Sequence, residues 1–107
     1  MSERIVVFVT CGSEEEAKKI SRELLDAQLI ACANVVPSVL SIFRWQGKID
    51  EESEVLIVIK SVKTNLAQIV TKVKAMHSYD VPEIIAMPII GGSDDYLRWV
   101  DNETMPD

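Results

Sequence analysis

LIACANVVPSVLSIFRWQGKIDEESEVLIVIK, residues 29–60, is the stretch on which the fold turns. Its first half reads as a long extended segment interrupted by Pro37. GKIDEES (47–53) is polar and contains Gly47, so it reads as the loop of a hairpin. EVLIVIK (54–60) is the returning strand, shorter than its partner. Ile42, Phe43, Trp45 and Ile49 fall at the far end of this hairpin, which is too long for one small domain to cover. Large apolar patches are rare on monomers, so these side chains require a surface to pack against.

The flanking segments complete the pattern. RIVVFVTC (4–11) is a continuous β-branched run and reads as a strand buried on both faces or nearly so. After Gly12, Ser13 and Glu16 form a capping box. Ala17, Ile20, Leu24 and Ala27 then recur at helical spacing, predicting a helix from about Ser13 to Gln28. Asn65 to Gln68 resembles a second capping box. Leu66, Ile69, Val70, Val73 and Met76 make the stripe of a second helix ending near His77. PEIIAMPII (82–90) is a fourth strand, opened by Pro82. A glycine loop leads to a short final helix with Asp94 and Asp95 in its first turn. The order β-α-β-β-α-β plus a C-terminal helix is the ferredoxin-like pattern, an α+β sandwich in a single domain over residues 1–107. The prolines select the strand order. A proline cannot donate a ladder hydrogen bond and belongs on an edge, at a strand start or at a bulge. Pro37, Pro82 and Pro88 fall in strands two and four, and strands one and three have none. An antiparallel sheet ordered 4-1-3-2 puts the proline-free strands in the centre, with both connecting helices on one face. It also leaves a long apolar edge on strand two, which invites pairing with another copy.

Composition narrows the function classes. A net charge of −6 argues against broad binding to nucleic-acid backbones. No apolar run approaches the ~20 residues of a bilayer span. The N-terminus lacks the pattern of a signal peptide, so the expected location is the cytoplasm. Cys11 and Cys32 fit no metal-binding or redox spacing. No phosphate loop, nucleophile elbow or HExxH motif is present, so no enzymatic activity is expected. TCGSEEE (10–16) after strand one would repel a phosphate, and the central strands carry neither the aromatics nor the basic platform of an RNA-recognition sheet.

The only histidine lies in MHSYDVPEI (76–84). Two readings of it stand open. As the last residue of helix two, a cationic imidazole would be favourable against the helix dipole. Alternatively His77 and Asp80 form a metal-ligand pair, with Cys11 added if strand one ends beside helix two. Imidazole and thiolate suit copper or zinc, and so short a ligand set would bind weakly.

The same residues carry a resemblance to the CutA family, the divalent-cation tolerance proteins. Its A-C-x-N, proline, S-x-Y/F-x-W-x-G hairpin and strand-ending lysine are met by Ala31, Cys32, Asn34, Pro37, Ser41, Phe43, Trp45, Gly47, Glu54 and Lys60. Its histidine segment resembles His77, Tyr79, Asp80, Pro82, Glu83 and Ile84, and its Y-L-x-W element Tyr96, Leu97 and Trp99. The resemblance spans nearly the whole chain. It implies a homotrimer joined edge to edge and a link to divalent metals, copper especially, through binding or regulation. It also implies clefts between subunits, for which Trp45, Lys60, Tyr79, Glu83 and Trp99 are the candidate cleft or interface residues. An effector held there, as in the trimeric PII signalling proteins, is the alternative function. The chain departs from the family pattern at Ser78, where a proline is usual, which implies a looser turn. It departs again at Val9 and Met76, where copper-binding members carry Cys and His.

Overall fold

The computed structural model describes residues 3–105. Eight elements run in the order β1 (Arg4–Cys11), α1 (Glu14–Asp26), β2 (Cys32–Trp45), β3 (Lys48–Val62), a short 3-10 turn (Lys63–Asn65), α2 (Leu66–Met76), β4 (Ile84–Pro88) and α3 (Asp94–Glu103). All strand pairs are antiparallel and the sheet order is β2-β3-β1-β4. That is the order expected from the prolines, read from the other edge. A chain-wide β-α-β-β-α-β path with β1 and β3 central is the ferredoxin-like arrangement.

Both connecting helices pack on one sheet face. Ile20 and Leu24 of α1 and Ile69 and Val73 of α2 close over Val7, Val9, Ile57 and Ile59, all essentially inaccessible to water. The prediction that β1 is buried on both sides is therefore corrected. Its residues alternate, with Ile5, Val7 and Val9 buried and Val6 and Phe8 half-buried. The cause is the layer order: only α3 reaches the second face, and it covers one end. There Val100 packs on Ala31 and Val62, and Asp101 takes the Arg4 guanidinium in a two-pronged ion pair at 2.6 and 2.9 Å. The strand register places Val6, Phe8, Leu56, Val58, Ile85 and Met87 on the remainder of this face. These side chains are half-buried or exposed, an apolar surface without a covering layer.

The hairpin is longer than the polar composition of residues 47–53 suggested. Its turn is only Gln46-Gly47, both with positive φ (50° and 80°), which is what a two-residue turn matching the strand twist requires. Lys48 already pairs with Trp45, so β3 has 15 residues and β2 has 14. The polarity of Asp50, Glu51 and Glu52 reflects a strand pair that has left the body, not a loop. Between Val36 and Val39 the register slips by one residue, a bulge that accommodates Pro37 on the edge strand. Beyond it the hairpin projects, giving the chain a 44 Å long axis against 25 and 22 Å.

Helix ends show how local chemistry was overridden. Ser13 Oγ accepts from the Glu16 N–H at 3.1 Å as expected, but the Glu16 carboxylate does not return to Ser13. It accepts from Gly12 and from Ser78 instead. At Asn65 the second capping box does not form: a 3-10 turn precedes α2, and the Asn65 amide donates to the Leu29 carbonyl. Pro82 lies ahead of β4 rather than opening it. The C-terminus of α1 is a Schellman motif, with Leu29 N–H on the Leu24 carbonyl, Gln28 N–H on the Leu25 carbonyl, and Gln28 at φ 57°. A glutamine there carries the left-handed penalty that glycine avoids. Gln28→Gly is therefore expected to raise stability by about 1 kcal/mol, read as a higher urea midpoint with unchanged m.

Candidate functional site

The end of β1, the first turn of α1 and the segment after α2 meet at His77. Helix α2 stops here because His77 turns to extended backbone (φ −77°, ψ 142°) while its N–H still bonds the Val73 carbonyl. The imidazole does not face solvent as a cationic cap. Its side chain is fully buried, with Nε2 2.7 Å from the Thr10 carbonyl and Nδ1 accepting from the Tyr79 N–H at 3.0 Å. A carbonyl can only accept and an amide only donate, so these partners assign the neutral tautomer with the proton on Nε2. Glu16 Oε2 lies 3.9 Å from Nδ1 and accepts from the Ser78 N–H at 2.7 Å, while Oε1 accepts from Gly12 at 3.3 Å. Ser78 was expected to loosen this turn. Its N–H instead anchors the turn, through a bond that proline could not make.

Tyr79 continues the network. Its ring packs on His77 at 4.7 Å between centroids, and its hydroxyl donates to Glu54 Oε2 at 3.0 Å rather than to water. The same hydroxyl stands 3.5 Å from where a Cβ on Gly12 would lie. Burial first, then the bond to Glu54, pushes the Tyr79 phenol up to about 12. Cys11 is buried beside this group, and burial, with Glu16 and Glu54 adding negative charge, pushes its thiol up to about 12 as well. Burial alone would raise the Glu16 carboxyl; the Ser78 and Gly12 donors outweigh it, and its pKa is lowered. A depressed carboxyl contributes stability that is complete above its unfolded value and is lost as pH falls through the folded one. The thermal midpoint is therefore expected to drop as pH is taken from 6 to 3, chiefly below the ordinary value of 4.5, and to drop less in Glu16→Gln.

Of the residues singled out in the sequence, the structure brings Cys11 and His77 together. With Glu16 they offer ligand atoms within 4.8 Å of one another, the metal-like group found among the described residues. Asp80 is exposed and stands outside it. Glu16 and Glu54 were missed as members of this network. Glu16 showed only as a capping position, and nothing local indicates that its carboxylate reaches Ser78, 62 residues away. A resident divalent ion does not fit the group as it stands. The ligands of such an ion must be deprotonated and free to turn toward it. Here burial and nearby negative charge push the thiol up to about 12, and both imidazole nitrogens are engaged by backbone.

The remaining candidates spread along the molecule. Lys60 is half-buried on the uncovered sheet face, with its ammonium on the Asn34 side-chain oxygen. Trp45 sits at the hairpin tip and is 57% exposed. Lys60 pairs with Cys32, at the opposite end of β2 from Trp45, which at ~3.3 Å per residue puts the two roughly 40 Å apart. They share no cleft within one chain. Trp99 is partly exposed on α3, its ring 5.5 Å from Tyr96, and Glu83 is exposed just before β4. No helix among the described residues is long and apolar enough to cross a membrane.

Comparison with known proteins places this arrangement. Residues 5–103 match the sequence family described as CutA1 divalent ion tolerance protein. The chain is 45% identical over 100 residues to "Protein CutA, chloroplastic" of Arabidopsis thaliana, covering 94% of this chain and 55% of that protein. It is 42% identical over 99 residues to "Divalent-cation tolerance protein CutA" of Thermus thermophilus, covering 92% and 96%. The chain thus spans about half the length of the plant relatives it matches and nearly all of the bacterial one. The crystal structure of CutA1 from Oryza sativa superposes with a TM-score of 0.95 at 40% identity, covering 99% of this chain and 97% of that one.

Proposed function

Because the chain belongs to the CutA1 divalent ion tolerance family, we propose that it works as a closed homotrimer whose link to divalent cations, copper among them, is one of binding or regulation without catalysis. The observation that carries this reading is the projecting hairpin. It exposes apolar side chains on both of its faces: Leu40, Ile42 and Ile49 on one, at 63%, 63% and 70%, and Trp45 on the other. A two-sided apolar ribbon cannot be covered by its own body, which it has left behind. The same holds for the uncovered sheet face and for the free edges of β2 and β4. The two edges differ in length and sequence, so pairing one with the other in successive copies is head to tail. Such contacts end only if the ring closes. Closure at three is the geometry that the family resemblance implies.

The non-catalytic part rests on the chemistry of the network. A protonated, buried thiol and an imidazole held by two backbone partners make neither a nucleophile nor a mobile base. Light scattering coupled to size exclusion tests the assembly: three chain masses at micromolar concentration are expected, and a monomer would overturn it. Calorimetric titration of that species with Cu²⁺ tests the cation link, which fails if no heat beyond dilution appears.

A further inference from the structure

The geometry points to a role for Cys11, Glu16 and His77 other than metal binding: a hydrogen-bond latch in which Glu16 is the positioning residue for the segment 77–79. Three observations meet here. The Glu16 carboxylate spends one oxygen on the Gly12 N–H and the other on the Ser78 N–H, so it ties the end of β1 to the turn after α2. Holding Ser78 places the next amide, Tyr79 N–H, on His77 Nδ1, and Nε2 then donates to the Thr10 carbonyl. Tyr79 in turn reaches Glu54 at the root of the projecting hairpin. The chain of contacts therefore runs from α1 through β1 and the 77–79 turn to β3. No buried side-chain nitrogen or oxygen among the described residues is left without a partner, so no nitrogen or oxygen of the group waits for an ion. A metal would have to break a backbone hydrogen bond of the imidazole and ionise a buried thiol to gain three ligands, one short of the usual closed shell.

The bond from Ser78 offers a clean variant. His77 is already in the extended conformation that a following proline demands, so Ser78→Pro removes the N–H donor without opposing its predecessor's backbone. Ser78→Ala removes only the hydroxyl and keeps the N–H. Glu16→Gln places an amide donor against one of two N–H groups.

The latch is tested by nitrogen-detected NMR of the His77 ring and by amide hydrogen exchange, on the full chain in its native assembly. The parent should show the Nε2–H tautomer, unmoved by several equivalents of Zn²⁺, and Co²⁺ should give no thiolate charge-transfer band. Exchange at Tyr79 should quicken roughly tenfold in Ser78→Pro and in Glu16→Gln, with tautomer mixing at His77, and stay near the parent rate in Ser78→Ala. A Zn²⁺-induced shift of either ring nitrogen, or a Co²⁺ band that vanishes in Cys11→Ser, would establish a metal site and overturn the latch. So would parental Tyr79 exchange in both Glu16→Gln and Ser78→Pro. These readouts do not depend on subunit number, so their failure is distinguishable from failure of the trimer.

Discussion

Trp45→Ala is expected to convert the proposed trimer to monomers while leaving the protomer folded. Within one chain Trp45 lies at the hairpin tip, 57% exposed and outside the buried cluster formed by β1, β3, α1 and α2. Removing it creates no cavity in that core. In the trimer proposed above the indole would be covered by a neighbour, and truncating a buried Trp costs about 3–5 kcal/mol. A closed ring contains this contact three times, so the loss is multiplied at the level of the assembly. Light scattering should report one chain mass, with the circular dichroism of the sheet retained. A trimer of parental melting temperature would show that the hairpin tip is not an interface element. Ile42→Asp, on the opposite hairpin face, should give the same result if both faces are covered.

His77→Ala should act inside the protomer instead. It deprives the Thr10 carbonyl and the Tyr79 N–H of their partner, at about 1–3 kcal/mol for each buried group left unsatisfied. It also removes the ring on which Tyr79 packs. The two groups together, roughly 2–6 kcal/mol, are a large part of the 5–15 kcal/mol typical of a domain. Urea unfolding should show a markedly lower midpoint. A loss below about 1 kcal/mol would mean that water or a relaxed turn replaces the imidazole, and that His77 is not a structural joint.

Much of the candidate site was legible one element at a time. The position of His77 at the end of α2 followed from the spacing of Leu66, Ile69, Val73 and Met76. Its environment did not. A histidine after a helical stripe reads as an exposed cap, because the rest of the stripe cannot say that β1 passes beside it. Glu16 is the same case. The local pattern Ser13-x-x-Glu16 predicts a reciprocal cap, but two N–H groups brought in by the fold compete for the carboxylate and win. Polarity misled at residues 48–53. They are strand because β2 continues opposite them, a long-range fact that composition cannot carry.

Properties that arise from neighbours along the chain were readable without the fold. A continuous β-branched run placed β1, period-3.6 apolar stripes placed α1 and α2, and a glycine loop with an acidic first turn placed α3. The proline positions assigned the edges, since a missing N–H is a local property with a global consequence in any sheet. Which chemistry those elements could perform depended on contacts made through space. Whether Cys11 and His77 are ligands depends on what already occupies their donor atoms. For His77 those partners are the Thr10 carbonyl, 67 positions away, and the Tyr79 N–H, which is held in place by a turn that Glu16 anchors from 62 positions away through the Ser78 N–H. Hydrogen-bonding capacity is finite and is satisfied through space, so the residues that look free in a sequence are the ones a fold can claim first.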